Sequence, residues 1–164
     1  MSVGPRDTWF QCFEDLLPEV LHLPIAPHSL ETDPKALATQ EDQILDDLES
    51  LLKTRHQDIA AVIMEPLVQG ASGMVMYRAS FLERMVQCFK RYNVFVIFDE
   101  IMTGFYRTGR FFAMDHIDSK PDIVCLSKGL TGGFLPMSLT VANETVYNAF
   151  LGDGLDKAFL HGHS

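Results

Sequence analysis

The sequence is short of several things, and each shortage removes a class of function. Basic residues are outnumbered: 13 Lys and Arg against 22 Asp and Glu leave a formal net charge of −9. A surface of that sign repels phosphate backbones and anionic lipid, so neither nucleic acid nor a membrane is expected as a partner. Cysteine is scarce. Cys12, Cys88 and Cys125 lie far apart with no Cys-x-x-Cys spacing. Each sits among apolar neighbours and reads as a buried, reduced thiol of a cytoplasmic protein. No stretch of about 18 uncharged apolar residues is available to span a bilayer. From Met1 to Asp15, charged residues stand where a secretion signal would be apolar.

Familiar catalytic patterns are missing as well. The Gly104–Gly109 loop lacks the Gly-Lys-Ser/Thr ending of a phosphate-binding loop. No Gly-x-Ser-x-Gly elbow is present, so serine hydrolase chemistry has no support. His161 and His163 stand two apart and His116 elsewhere, with no carboxylate or cysteine at zinc-ligand spacing. Surface or packing histidines are the favoured reading, and no metal is expected.

What is present is a globular composition, 47% hydrophobic and 21% charged over 164 residues, enough for one ordinary core. Pro18, Pro24, Pro27 and Pro34 interrupt the first 40 residues, which read as an irregular connecting segment. Thr39 and Asp42 come close to a capping box, and Ile44, Leu45, Leu48, Leu51 and Leu52 then form an apolar stripe at helical spacing. Beyond Asp58 short apolar runs alternate with amphipathic stretches. Ile59–Met64, Val94–Phe98 and Asp122–Leu126 read as strands covered on both faces, and Met137–Ala142 as a fourth. A helix is expected along Phe81, Leu82, Met85, Val86 and Phe89, and a short one from Glu144 to Phe150. This order predicts an α/β fold with a mixed, mostly parallel sheet and flanking helices. No internal repeat or second-domain boundary is visible.

In open α/β sheets, ligands bind beyond the carboxyl ends of the strands. Two strands end there in charged residues, Asp99-Glu100 and Ser127-Lys128. Taken singly, Asp99 reads equally well as a solvated strand end, and Lys128 as a surface lysine beside a glycine turn. Together they are more informative. Gly129, Gly132 and Gly133 follow the lysine and permit unusual backbone angles and close approach to a ligand. Buried at such a place, an amine would have its pKa lowered, as Schiff-base chemistry asks. A carboxylate near the pyridine nitrogen of pyridoxal 5′-phosphate (PLP) would keep that nitrogen protonated.

Three segments, in order, carry a specific resemblance. Ala61-Val62-Ile63-Met64-Glu65-Pro66-Leu67-Val68-Gln69-Gly70, Phe98-Asp99-Glu100-Ile101-Met102-Thr103-Gly104-Phe105-Tyr106-Arg107-Thr108-Gly109 and Leu126-Ser127-Lys128-Gly129-Leu130-Thr131-Gly132-Gly133 resemble signature segments of the class III aminotransferases. The likeness runs along the whole chain. The resemblance implies a PLP-dependent transferase fold of type I. Lys128 would be the catalytic lysine, carrying the cofactor as a Schiff base and also meeting the substrate. Asp99 would bind the pyridinium nitrogen, and Ile101 would pack on the ring face. Ser164 stands where the family has a phosphate-binding threonine contributed across a homodimer interface, with His163 beside it, and Gly162 would line the substrate pocket. Arg107 and Arg110 read as structural in their loop.

Within the family the details are most similar to the biotin-pathway branch. Val68-Gln69-Gly70-Ala71-Ser72-Gly73-Met74 and Phe159-Leu160-His161-Gly162-His163-Ser164 carry that likeness, and Ala71 stands where ornithine- and GABA-type members have a glutamate. The implied reaction passes an amino group from S-adenosylmethionine to the ketone 8-amino-7-oxononanoate. Another ω-amino-acid or diamine transaminase is the alternative within the family. A non-catalytic remnant serving as an interaction module is the alternative outside it. The family's enzymes are more than twice this long, so residues 1–164 are expected to be a partial PLP-binding large domain. The N-terminal segment and the C-terminal small domain would be missing, and the isolated chain would be a poor catalyst.

Overall fold

The computed structural model describes residues 20–30 and 33–159. Helix α1 spans Pro34–Arg55. Its start differs from the sequence expectation near Thr39. Pro34 occupies the first helical turn, where a missing amide costs nothing, and the Asp33 side chain caps the helix by accepting from the amides of Lys35 and Ala36. Lys53 and Arg55 in its last turn suit the negative end of the helix dipole.

Strand β1 is Ala61–Met64, and a two-stranded antiparallel hairpin of β2 (Val68–Gln69) and β3 (Val75–Met76) follows, where the sequence suggests only a loop. Residues 20–30 form no helix or strand and run past this hairpin, with Ala26 N bonded to Gln69 Oε1 at 3.2 Å and Ser29 N to Met76 O at 2.7 Å. Helix α2 (Ala79–Arg91) leads into β4 (Phe95–Asp99) through Asn93, whose φ of 57° reverses the chain. Strand β5 (Ile123–Leu126), strand β6 (Leu139–Ala142) and the short helix α3 (Glu144–Asn148) complete the order.

The main sheet runs β1-β4-β5-β6, with β1, β4 and β5 parallel and β6 antiparallel to β5. Mixed and mostly parallel, it matches the expectation. Asp122 ties three strands at the opposite end from the candidate site. Its Oδ2 accepts from Val96 N at 2.8 Å and its Oδ1 from Asn143 Nδ2 at 2.8 Å.

The core lies on one side of the sheet. The apolar stripe of α2 (Phe81, Leu82, Met85, Val86 and Phe89) is buried against Val96 and Phe98 of β4, and Leu45, Leu48 and Leu52 of α1 close it from outside. Burying a side chain such as Leu82 or Val86 contributes about 1.5–3 kcal/mol, so a charge at Val86 would break this layer. The other face differs from the expectation of strands covered on both sides. Ile63 is 38% exposed and Phe95 40%, and Thr140 and Ala142 of β6, on the same face by register, are exposed too. The reason is topological: α1 and α2 both lie on the Val96–Phe98 side, and no element among the described residues crosses to the other. Of the cysteines, Cys88 is buried and Cys125 only partly so, both as free thiols; Cys12 lies outside the described residues.

Candidate active site

Strands β4 and β5 are neighbours in register, Asp99 opposite Cys125. The two segments singled out in the sequence therefore leave the sheet at the same edge. Asp99 is the last residue of β4 and is half-buried. Its Oδ1 accepts from the Ile101 amide at 3.0 Å, while Oδ2 has no hydrogen bond among the described residues. One carboxylate oxygen is thus held and the other left for a donor. Beside it, the Cys125 thiol has its pKa raised by burial first and then by the Asp99 carboxylate, with Thr140 opposing.

Lys128 is the second residue after β5, past Ser127, and opens a short turn, Lys128–Leu130. Its φ is +44°, a left-handed conformation that side chains seldom adopt, so the turn is held by its surroundings rather than by preference. Gly132 (φ 62°) and Gly133 (φ 83°) use the freedom expected of them. Gly129 serves differently: a Cβ there would lie 2.8 Å from Phe105 Cδ2, so glycine is required by contact. The Lys128 side chain is exposed, not buried as its strand-end position suggests, because residues 132–142 beyond it are themselves exposed and nothing described covers the amine.

The segment after β4 connects the three motifs. Glu100 is fully buried, and its carboxylate accepts from Thr103 Oγ1 (2.8 Å), Ala113 N (2.9 Å) and Met114 N (2.8 Å). Met102 packs under the hairpin, where a Cβ on Gly70 would lie 2.9 Å from its Sδ, and Glu65 Oε2 accepts from Gly70 N at 3.1 Å. Arg110 bonds the carbonyl of Asp115, a loop contact of the kind expected. Arg107 is exposed and lines an open cleft with Leu67, Val68, Met76, Tyr77 and Thr108. The Thr108 hydroxyl is buried there without a hydrogen-bond partner among the described residues. Glu100 and Phe105 sit inside a signature segment, yet nothing in their spacing marks them as supports. Only contact reveals it. Gly162, His163 and Ser164 lie outside the described residues.

A carboxylate with one oxygen held and one open, an amine at the same sheet edge and a glycine loop beyond it fit PLP, which offers a pyridinium nitrogen to the acid and an aldehyde to the amine. Among the described residues no cluster of His, Cys, Asp or Glu could hold a metal ion, and no helix is long and apolar enough to cross a membrane.

The chain is similar to known proteins in both sequence and fold. The family model for aminotransferase class-III matches residues 1–163. The chain is 45% identical over its whole length to the adenosylmethionine-8-amino-7-oxononanoate aminotransferase of Synechococcus elongatus, and 38% identical to that of Staphylococcus aureus. It covers 38% and 36% of those two proteins. In the crystal structure of the Methanocaldococcus jannaschii enzyme of the same name, the match covers 99% of this chain and 35% of that one, at 34% identity and a TM-score of 0.81. The chain thus spans a little over a third of the length of these relatives, within one shared fold. It belongs to the class III aminotransferases.

Proposed function

We propose that these residues are part of the cofactor-binding large domain of an aminotransferase that moves an amino group from S-adenosylmethionine to 8-amino-7-oxononanoate. The whole enzyme would work as a cytoplasmic homodimer in biotin synthesis. The observation that carries the reading is the delivery of Asp99 and Lys128 to one sheet edge by adjacent parallel strands. The names of the relatives supply the substrates.

Class III aminotransferases are PLP-dependent, and bound PLP supplies an electron sink for the substrate carbanion. The chain's own residues do the rest. The open Oδ2 of Asp99 would hold the proton on the ring nitrogen. Ile101 would lie against the ring face. Lys128 Nζ would anchor the cofactor and carry the proton away from the donor's α-carbon, as a general base on a rigid support. Ser164 would hold the phosphate across the dimer interface with His163 beside it, and Gly162 would line the substrate pocket.

An absorbance spectrum tests this. In the whole enzyme with PLP added, a Schiff-base band near roughly 410–430 nm is expected, absent in Lys128→Ala and bleached by S-adenosylmethionine but not by ornithine. A whole enzyme that gives no band, or gives the same band after Lys128→Ala, would overturn the assignment.

A further inference from the structure

Glu100 is fully buried, and its carboxylate is bonded by Thr103 Oγ1, Ala113 N and Met114 N. An ionised carboxylate is an acceptor only, and these three donors all come from the segment 101–114 that it closes. No Lys or Arg bonds it among the described residues. Burying a charge to close a loop is costly when a neutral acceptor would serve, so the position asks for a reason beyond closure.

The loop supplies one, because both of its contacts lead to the cofactor residues. At its start, the Ile101 amide orients Asp99 Oδ1 at 3.0 Å. Further on, Phe105 stands against Gly129, the residue after Lys128. Glu100 also joins these points through its backbone, with its amide on Cys125 O and its carbonyl accepting from Gly104 N, both at 3.0 Å. Successive side chains leave an extended strand on opposite faces, so Glu100 lies on the buried side, behind Asp99.

We propose that Glu100 is a positioning residue: through the loop 101–114 it sets the aim of the Asp99 carboxylate and the seat of the Lys128 turn, and so prepares both for PLP. This rests on the cofactor reading above.

The test uses the whole enzyme that carries these residues, with Glu100→Gln and Thr103→Val, and PLP as the probe. Three quantities are read: thermal unfolding, the Kd for PLP, and the pH midpoint of the Schiff-base band. The amide nitrogen of Glu100→Gln would face a donor, so its Kd should rise roughly tenfold or more, as when an outer hydrogen-bond partner of a site is lost. The pH midpoint, which senses where the Asp99 charge lies relative to the ring, should move by about one unit. Thr103→Val should shift both readings in the same direction by less. A variant that melts earlier yet keeps the wild-type Kd and midpoint would reduce Glu100 to a structural residue and end the proposal. Should Glu100→Gln fail to fold, Thr103→Val decides by the same two readings. A wild-type enzyme without the band overturns the cofactor reading and this inference together. A normal wild-type band with unchanged variants overturns the inference alone.

Discussion

Phe105 occupies the space a side chain at position 129 would need: a Cβ on Gly129 would stand 2.8, 2.9 and 3.1 Å from its Cδ2, Cβ and Cγ. Two of these atoms lie close to the Phe105 backbone, so rotating the ring gives little relief. Gly129→Ala is therefore expected to cost about 1–3 kcal/mol, the usual penalty of overpacking. It should also weaken PLP binding by tilting the lysine turn. Urea unfolding measures the first effect, and a change under about 0.5 kcal/mol would mean that the contact yields freely.

On the far side of the core, Glu41 is only 1% exposed and is gripped through both oxygens by Arg78. Removing one partner leaves a buried charge alone, whereas replacing both with apolar side chains removes the desolvation problem. Arg78→Ala should lower the melting temperature more than any other single change at this pair. The double variant Glu41→Leu with Arg78→Leu should recover most of the loss. A double variant as unstable as Arg78→Ala would show that the pair itself stabilises the fold.

Tyr77 predicts the alkaline limb of stability. Its hydroxyl donates to the Glu65 carbonyl at 2.5 Å. Burial pushes its pKa well above the ordinary phenol value of 10.0; the Leu67 backbone opposes this, and the charges of Glu65 and Glu100 add to it. With the folded pKa raised, the stabilisation is fully present below the unfolded value near 10 and is lost as pH rises beyond it. The slope is about 1.4 kcal/mol per pH unit for one proton. Tyr77→Phe should lose about 1 kcal/mol at neutral pH with the hydrogen bond, and should unfold less steeply between about pH 10 and 12. An unchanged alkaline slope would assign that limb to other groups.

The thiol next to Asp99 provides a probe of the site without cofactor. Burial raises the Cys125 pKa most, and the Asp99 carboxylate raises it further. Asp99→Asn removes the charge and leaves the burial, so the thiolate fraction at pH 8 should rise. Alkylation of Cys125, followed by mass spectrometry, should be severalfold faster. Equal rates in the two proteins would mean that the Asp99 charge does not reach the thiol.

The strands and α2 are legible in the sequence because apolar periodicity is a local property: Phe81, Leu82, Met85, Val86 and Phe89 write their buried face every three to four residues. The alternation of strands and helices also puts the carboxyl ends of parallel strands at one edge, so the sequence alone is enough to expect Asp99 and Lys128 at the same edge. Pro34 shows the limit of local signals. It reads as a breaker, but the acceptor at Asp33 makes it a helix start. Burial is less legible than periodicity. The run Ala61–Met64 is continuous enough for a strand covered twice, but whether a second cover exists depends on distant chain. The contacts of Glu100 with residues 113 and 114, and of Phe105 with residue 129, are long-range and leave no periodic trace.

The face of the sheet that bears Ile63 and Phe95, uncovered among the described residues, changes how the isolated chain must be assayed. Dyes such as ANS fluoresce on accessible apolar surface and are commonly used to recognise loosened, molten states. Here the sheet, among the described residues, presents such a surface in its folded form. Bright dye emission will accompany the native sheet, and its loss in denaturant will mark unfolding.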